Sequence, residues 1–337
     1  MKKAVVTGGA GFIGSHMVDL LIKKGFVVKV IDNFSGGHEK NIAHNFKNKN
    51  FEFEKIDICN LPSNHSFFSS CDYVFHFAGI GDIIPSINDP ISYIKTNVIG
   101  TSKVLEASRK AKIKKFLYAA SSSCYGIADI PTKETHSINP LYPYALSKYL
   151  GEKLCFHWHQ LYNLPVNSIR IFNAYGPRVR TTGAYGAVFG VFLKQKLEKK
   201  PFTITGNGNQ KRDFIYVSDV VSAFLKAAET KVEGEVFNLG NDRPQSINYL
   251  IDILEGEKVF VPKRPGEPDI THANIDKIKK LLNWEPKISF QEGVKKMMTN
   301  IENWKDAPLW TVDKIEIATK DWFKYLKKYE KFFTKTI

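Results

Sequence analysis

No stretch of the 337-residue chain approaches the roughly 20 consecutive apolar residues that span a bilayer, so no integral membrane segment is expected. Met1-Lys2-Lys3 runs straight into Ala4-Val5-Val6-Thr7-Gly8, an apolar segment too short and too soon broken by glycine for a secretory leader. The expected location is the cytoplasm. Cysteine is scarce: Cys59, Cys71, Cys124 and Cys155 form no Cys-x-x-Cys pair and join no Cys/His cluster, so neither a disulfide framework nor a zinc site is signalled. Reduced thiols and no metal are expected. Acidic residues are outnumbered 34 to 48, giving a formal charge of +14, but the basic residues are spread along the chain without a nucleic-acid module, and no nucleic-acid partner is expected. Arginine is rarer still, at seven of those 48. Where a lysine-using chain keeps Arg, a planar fork that grips phosphate through two bonds is one reason, which directs attention to Arg178, Arg180, Arg212 and Arg264.

What is present is enough apolar residue, 43%, to bury a substantial core in one large or two closely joined domains. Lys3 to Thr7 reads as a short strand, and Gly8-Gly9-Ala10-Gly11-Phe12-Ile13-Gly14 opens a helix through Met17, Leu20 and Leu21. In such a turn Gly8 permits the tight bend, Gly11 lets the backbone approach a pyrophosphate, and Gly14 lets the helix pack close to the sheet. The next strand, Phe26 to Ile31, ends at Asp32, where a carboxylate accepts an adenosine 2′-hydroxyl and repels a 2′-phosphate. That favours NAD over NADP. Further strands are expected at 51–57, 72–79 and 115–120, with a helix from Ile91 to Lys112, the rhythm of a doubly wound parallel sheet.

Tyr144 and Lys148 lie four apart at the start of a probable helix, after a loop punctuated by Pro140 and Pro143, and so share one helix face. A tyrosine with a pKa near 10 is a poor base at neutral pH, and a neighbouring ammonium with a positive nicotinamide nearby would favour its phenolate. The same spacing also decorates helices by chance. The serine run Ser121-Ser122-Ser123 ends the preceding strand, where hydroxyls either serve chemistry or satisfy turn amides.

Taken together, TGGAGFIGSH, DNFSGG, HFAG, NVIGT, SSSCYG, YALSK, FNAYGPR and RDFIYVSD make the chain resemble, over nearly its whole length, the extended short-chain dehydrogenase/reductases, the family of nucleotide-sugar epimerases and dehydratases. The resemblance implies a Rossmann-type α/β domain over residues 1–170 with 213–242. A smaller α/β nucleotide-sugar domain would occupy 171–212 with 243–337. Gly8, Gly11, Phe12, Ile13, Asp32, Asn33, Asp57, Ile58, Ala78 and Asn97 would contact NAD, Tyr144 would be the acid/base, and Lys148 would hold the nicotinamide ribose. The catalytic hydroxyl falls at Ser121. Ser122 and Ser123 stand where the family's 4,6-dehydratases carry an Asp-Glu pair, and the decarboxylases tend to keep the glutamate, so both activities are disfavoured. C4 epimerisation through a transient 4-keto sugar is the expected reaction. A 4,6-dehydratase, a C4 dehydrogenase or reductase, and a non-catalytic dinucleotide sensor are the alternatives.

For the substrate, a UDP- or GDP-hexose, the same resemblance assigns Asn173 to the diphosphate, Arg212 and Arg264 to its clamp, and Glu267 to the nucleoside ribose. Arg180 would meet a sugar carboxylate or simply solvate its loop. Thr271 falls where a bulky side chain narrows the hexose pocket, which leaves room for a 2-acetamido group. A homodimer through a four-helix bundle that includes the Tyr144 helix is implied, as is a role in carbohydrate biosynthesis such as lipopolysaccharide or capsule assembly. At the C-terminus Trp322, Leu326, Tyr329 and Phe333 form an apolar stripe in a lysine-rich helix, suited to packing on the substrate domain or a partner and less to a membrane surface.

Overall fold

A computed structural model describes residues 1–179 and 187–333, with the backbone alone at 328–333. The apolar segments form strands β1 (Lys3–Thr7), β2 (Val27–Asp32), β3 (Phe51–Lys55), β4 (Tyr73–His76), β5 (Lys115–Ser121) and β6 (Val166–Ile171). Shorter strands follow: β7 (Asn173–Tyr175), β8 (Phe202–Thr205), β9 (Lys211–Arg212), β10 (Phe214–Tyr216), β11 (Glu235–Leu239), β12 (Gln245–Ser246) and β13 (Lys258–Val261). Among the described residues the main sheet has seven parallel strands in the order β3-β2-β1-β4-β5-β6-β11. The chain reverses its direction of travel across the sheet between β1 and β4. Adjacent crossover loops part there, and in an open parallel sheet this opens a crevice at the carboxyl ends of the strands.

The helices are α1 (Phe12–Lys23), α2 (Pro90–Ile94), α3 (Thr101–Lys110), α4 (Pro143–Tyr162), α5 (Val188–Leu197), α6 (Val217–Glu229), α7 (Ile247–Leu254), α8 (Asp276–Leu282), α9 (Phe290–Thr299) and α10 (Val312–Phe333). Side chains alternate across the sheet as the period of a strand requires. Ala4, Val6, Val28 and Val30 join Met17 and Leu21 of α1 and Phe224 of α6 on one face. Val5, Ile31, Val74 and Phe116 join Val104 and Leu105 of α3 and Cys155 of α4 on the other. Both faces are covered, which explains why these strands read as nearly unbroken apolar runs. Ala273, Ile275, Ile278, Leu282 and Trp284 also pack into the first of these clusters, far along the sequence from the sheet. A third cluster unites α5, α7, α9 and α10 around Phe192, Leu250, Met297 and Trp322.

Two local features position the site. The helix expected over 91–112 is broken by a π-helical turn at Lys95–Gly100, a widening often found beside functional sites. Helix α4 starts at Pro143, whose missing N–H costs nothing at a first helical position, and ends at Asn163 in the left-handed conformation. It is tied to the sheet by a buried ion pair, Arg170 Nη2 to Glu152 Oε1 at 2.6 Å, with Ser168 Oγ donating to the same carboxylate. Glu152 lies one turn beyond Lys148, so this pair fixes the register of the helix that carries the site.

Candidate active site

At the carboxyl ends of the strands lies a cleft of about 630 Å³ whose lining runs from the glycine turn to Arg264. Its floor is the loop between β1 and α1. Gly8 has φ +70, and a side chain there would place a Cβ 2.6 Å from the Ala78 backbone nitrogen, so glycine is required both for the bend and for the approach of the β4 loop. A Cβ at Gly14 would run into the Gly8 carbonyl oxygen: this glycine serves the turn itself, closer at hand than the sheet contact expected of it. Gly11 caps α1 without a side-chain hydrogen bond, leaving the first-turn amides to an external acceptor. Phe12, Ile13 and Gly14 line the cleft there, and the aligned helix dipole favours an anion.

Beyond the turn, Asp32 ends β2 nearly buried. Its carboxylate accepts from Ala10 N at 3.0 Å and Phe34 N at 2.8 Å. Burial pushes its pKa up, and the backbone donors draw it back. Asn33 Nδ2 donates to Asp57 at 3.3 Å, and Asp57 in turn accepts from Cys59 N at 2.8 Å. Asp32, Asn33, Asp57, Ile58 and Ala78 all line the cleft. An amide-rich anion cradle, a ribose acceptor and the small Ala78 are what NAD needs, and the residues present fit it.

Asn97 stands behind the lining. The π turn aims its buried amide at the loop after β4, where Oδ1 accepts from Ile80 N at 2.8 Å and Nδ2 donates to Ile80 O and Ser147 Oγ. Asn97 thus braces the wall of the cleft, with one lone pair of Oδ1 beyond the Ile80 bond.

Tyr144, Lys148 and Ser121 converge on the centre of the cleft. The expected depression of the tyrosine pKa does not occur in the protein alone: burial raises it first, the Ser121 hydroxyl facing the phenol draws it down, and Asp82 pushes it up again. Lys148 Nζ sits 4.5 Å from the centroid of the Tyr118 ring, and burial holds its pKa down at about 8. The physical reason is common to both groups, since a site this dry penalises either charge without a counter-charge. Ser122 and Ser123 line the cleft beside them, and Ser123 N donates to Ser121 Oγ at 3.2 Å.

At the far end Asn173 opens β7, and its Oδ1 accepts from Thr271 Oγ1 at 2.8 Å. Glu267 lies between two guanidinium groups, 2.7 Å from Arg264 and 3.8 Å from Arg212. Burial lowers the pKa of Arg212, with Glu267 opposing. Arg178, one of the conspicuous arginines, turns away and pairs with Asp19 of α1 at 2.8 Å. Arg180 lies outside the described residues. Sequence reasoning missed Tyr142, Asp82 and the cleft-facing role of Trp322, all of which line the cavity. Tyr142 was legible only as part of the Pro140–Pro143 loop. Its ring lies parallel to that of Tyr144, 6.5 Å between centroids and 8° apart in plane. Among the described residues no cluster of His, Cys, Asp and Glu is suited to a metal, and no helix is long and apolar enough to cross a membrane.

With that geometry in hand, comparison is informative. Residues 4–240 match the model of the NAD dependent epimerase/dehydratase family. A UDP-glucuronate 4-epimerase of Thermodesulfobacterium geofontis is 34% identical over 329 residues, covering 93% of this chain and 99% of its own. UDP-glucuronic acid decarboxylase 1 of Arabidopsis thaliana is 35% identical over 313 residues, covering 89% of this chain and 70% of its own, so identity alone does not separate the two reactions. The structure of a UDP-glucuronic acid 4-epimerase from Bacillus cereus, with UDP-glucuronic acid and NAD, superposes with a TM-score of 0.84 at 36% identity, over 89% of this chain and 99% of that one. The seven-stranded parallel sheet agrees with these matches, and the chain belongs to the NAD-dependent epimerase/dehydratase family.

Proposed function

We propose that this protein is a nucleotide-sugar epimerase that inverts C4 of a UDP-hexose and returns its NAD to the starting state in every turnover. One observation carries the reading: the phenol of Tyr144 and the hydroxyl of Ser121 face one point of the cleft, and the two residues that follow are Ser122 and Ser123. NAD, when bound, supplies a hydride acceptor that later returns the hydride, together with a positive charge beside the phenol. Tyr144 takes the proton of the C4 hydroxyl and later gives it back, Ser121 hydrogen-bonds the same oxygen, and Lys148 orients the ribose. Arg212 and Arg264 hold the diphosphate while the keto sugar turns over and presents its other face. Asn173 and Glu267 complete the grip. Elimination of water across C5 and C6 needs an acid and a base together. Among the described residues lining the cleft near Tyr144, Asp82 is a single carboxylate, and serines occupy the positions of the acid pair.

Thr271, bonded back to Asn173, supports room for a 2-acetamido group. The reading also takes the enzyme to act in the cytoplasm, in carbohydrate biosynthesis, and as a homodimer. Leu146 and Leu161 of α4 are 42% and 57% exposed, and the same helix carries a depression lined by Val98, Leu150, Leu154 and Phe156 together with Lys153, His157 and Gln160. A symmetric pair of such faces would bury them. The test is incubation with UDP-glucose, UDP-galactose, UDP-N-acetylglucosamine and UDP-glucuronate, without added cofactor, with chromatographic resolution of products. Formation of one 4-epimer pair is expected. Accumulation of a keto sugar, or release of carbon dioxide from the uronate, would overturn the assignment.

A further inference from the structure

The catalytic machinery leaves α10 unexplained, although that helix reaches the cleft. Its buried stripe is Ile315, Thr319, Trp322 and Leu326, spaced at four, three and four residues as one helix face requires. Trp322 and Leu326 of the expected stripe are thus buried on the substrate side of the molecule, on a face that begins at Ile315, while the side chains of Tyr329 and Phe333 lie outside the described residues. Packing accounts for Ile315 and Leu326, whereas Trp322 both packs with them in one apolar cluster and forms part of the wall of the cleft.

Trp322 is 2% exposed and makes two specific contacts. Its indole Nε1 donates to the Pro265 carbonyl at 2.9 Å, within the Arg264–Glu267 loop. Its ring lies 5.2 Å from that of Tyr142, the residue that caps α4 and lies parallel to Tyr144. One turn on, Leu326 stands beside Gly266, whose φ of +74 marks the bend of the same loop. The helix also packs on the turn Ile84–Ile87, which follows the Ile80–Ile83 wall of the cleft. Three pieces of the site from distant parts of the sequence thus meet on one helix face.

We propose that α10 is a brace for this active site, and that Trp322 is a positioning residue that holds the Arg264–Glu267 loop against Tyr142 and thereby sets how tightly a nucleoside diphosphate is gripped. The inference rests on the reading of Arg212 and Arg264 as a diphosphate clamp. It explains why a tryptophan is used: its ring offers both a large apolar surface for Tyr142 and an N–H for the Pro265 carbonyl. Phenylalanine keeps the first contact and loses the second.

The experiment is calorimetric titration of the NAD-loaded enzyme with UDP, for the wild type, Trp322→Phe, Trp322→Ala and a chain ending at residue 311, with bound NAD and melting temperature measured on each sample. About tenfold weaker UDP binding is expected in Trp322→Phe, as for one lost buried hydrogen bond, with NAD content retained. In turnover this becomes a matching rise in KM with kcat changed less than about threefold, the signature of lost uniform binding. The inference is overturned if Trp322→Phe and Trp322→Ala bind UDP as the wild type does, or if UDP affinity, NAD content and melting temperature fall together in Trp322→Phe. Should the shortened chain fail to fold, the two point variants decide. UDP titration needs no turnover, so an enzyme that binds UDP in a Trp322-dependent way yet epimerises nothing would sink the proposed reaction and leave the brace standing.

Discussion

Replacing Lys148 with methionine should leave the protein more stable and nearly inactive. The ammonium is buried over the Tyr118 ring, with its pKa lowered from 10.5 to about 8 by burial, which the Glu152 carboxylate only partly opposes. Below about pH 8 the lysine is charged in the folded and unfolded chain alike, so the folded state carries the whole desolvation cost, about 3 kcal/mol at 1.36 kcal/mol per pKa unit. Between that pH and 10.5 the unfolded chain binds more protons than the folded one, and wild-type stability rises with pH. Methionine keeps the apolar stem and drops the charge. Urea melts of cofactor-stripped protein should therefore show the variant about 3 kcal/mol more stable at pH 7, with the gap shrinking by about 2 kcal/mol by about pH 9.5. Activity should fall on the order of 100-fold or more because the cofactor ribose loses its cation. A variant less stable than the wild type at pH 7, or a gap that does not change with pH, would refute the argument.

Three other outcomes follow from the geometry. Tyr144→Phe should lose roughly 100- to 10,000-fold in kcat, the range of a lost general acid/base, while UDP affinity by calorimetry stays within twofold. Asp32→Asn should raise the dissociation constant for NAD roughly 10- to 100-fold and narrow its preference over NADP, read by fluorescence titration with both, since a charged acceptor for the ribose is lost. Glu152→Gln should strand the buried Arg170 guanidinium without its counter-charge and lower stability by about 3 to 5 kcal/mol in denaturant melts, with Lys148 and Tyr144 chemically intact.

Much of this molecule was readable before any coordinates because its local signals agree with its fold. Residues 4–6 are apolar, the glycines follow after Thr7, and the helix starts directly after Gly11, so strand, turn and helix specify one another. The acids Asp32 and Asp57 were legible for the same reason, each ending or following a strand of obvious periodicity. Contacts between distant segments were not legible. Asn97 carries a cofactor-site motif, yet a π turn that no periodicity announces swings its amide onto the Ile80 loop. Arg178 stands beside the conspicuous Arg180 and goes to Asp19 instead, a partner 159 positions earlier in the sequence. Trp322 had the periodicity of a packing residue and was read as one; only the return of α10 to Pro265 and Tyr142 reveals its place in the cleft. For Tyr144 in the protein without its cofactor, burial, which sequence does not measure, is the largest effect on the pKa and raises it.

The central claim is that one hydride leaves C4 and returns to C4 of the same sugar. UDP-hexose deuterated at C4, incubated with enzyme carrying only its own NAD, tests it directly by mass spectrometry and proton NMR of the product. The account predicts an equilibrium mixture of 4-epimers with deuterium kept at C4 and none lost to water. Deuterium washed out into solvent, deuterium moved to another carbon, or conversion that stops at one equivalent of NAD would contradict it.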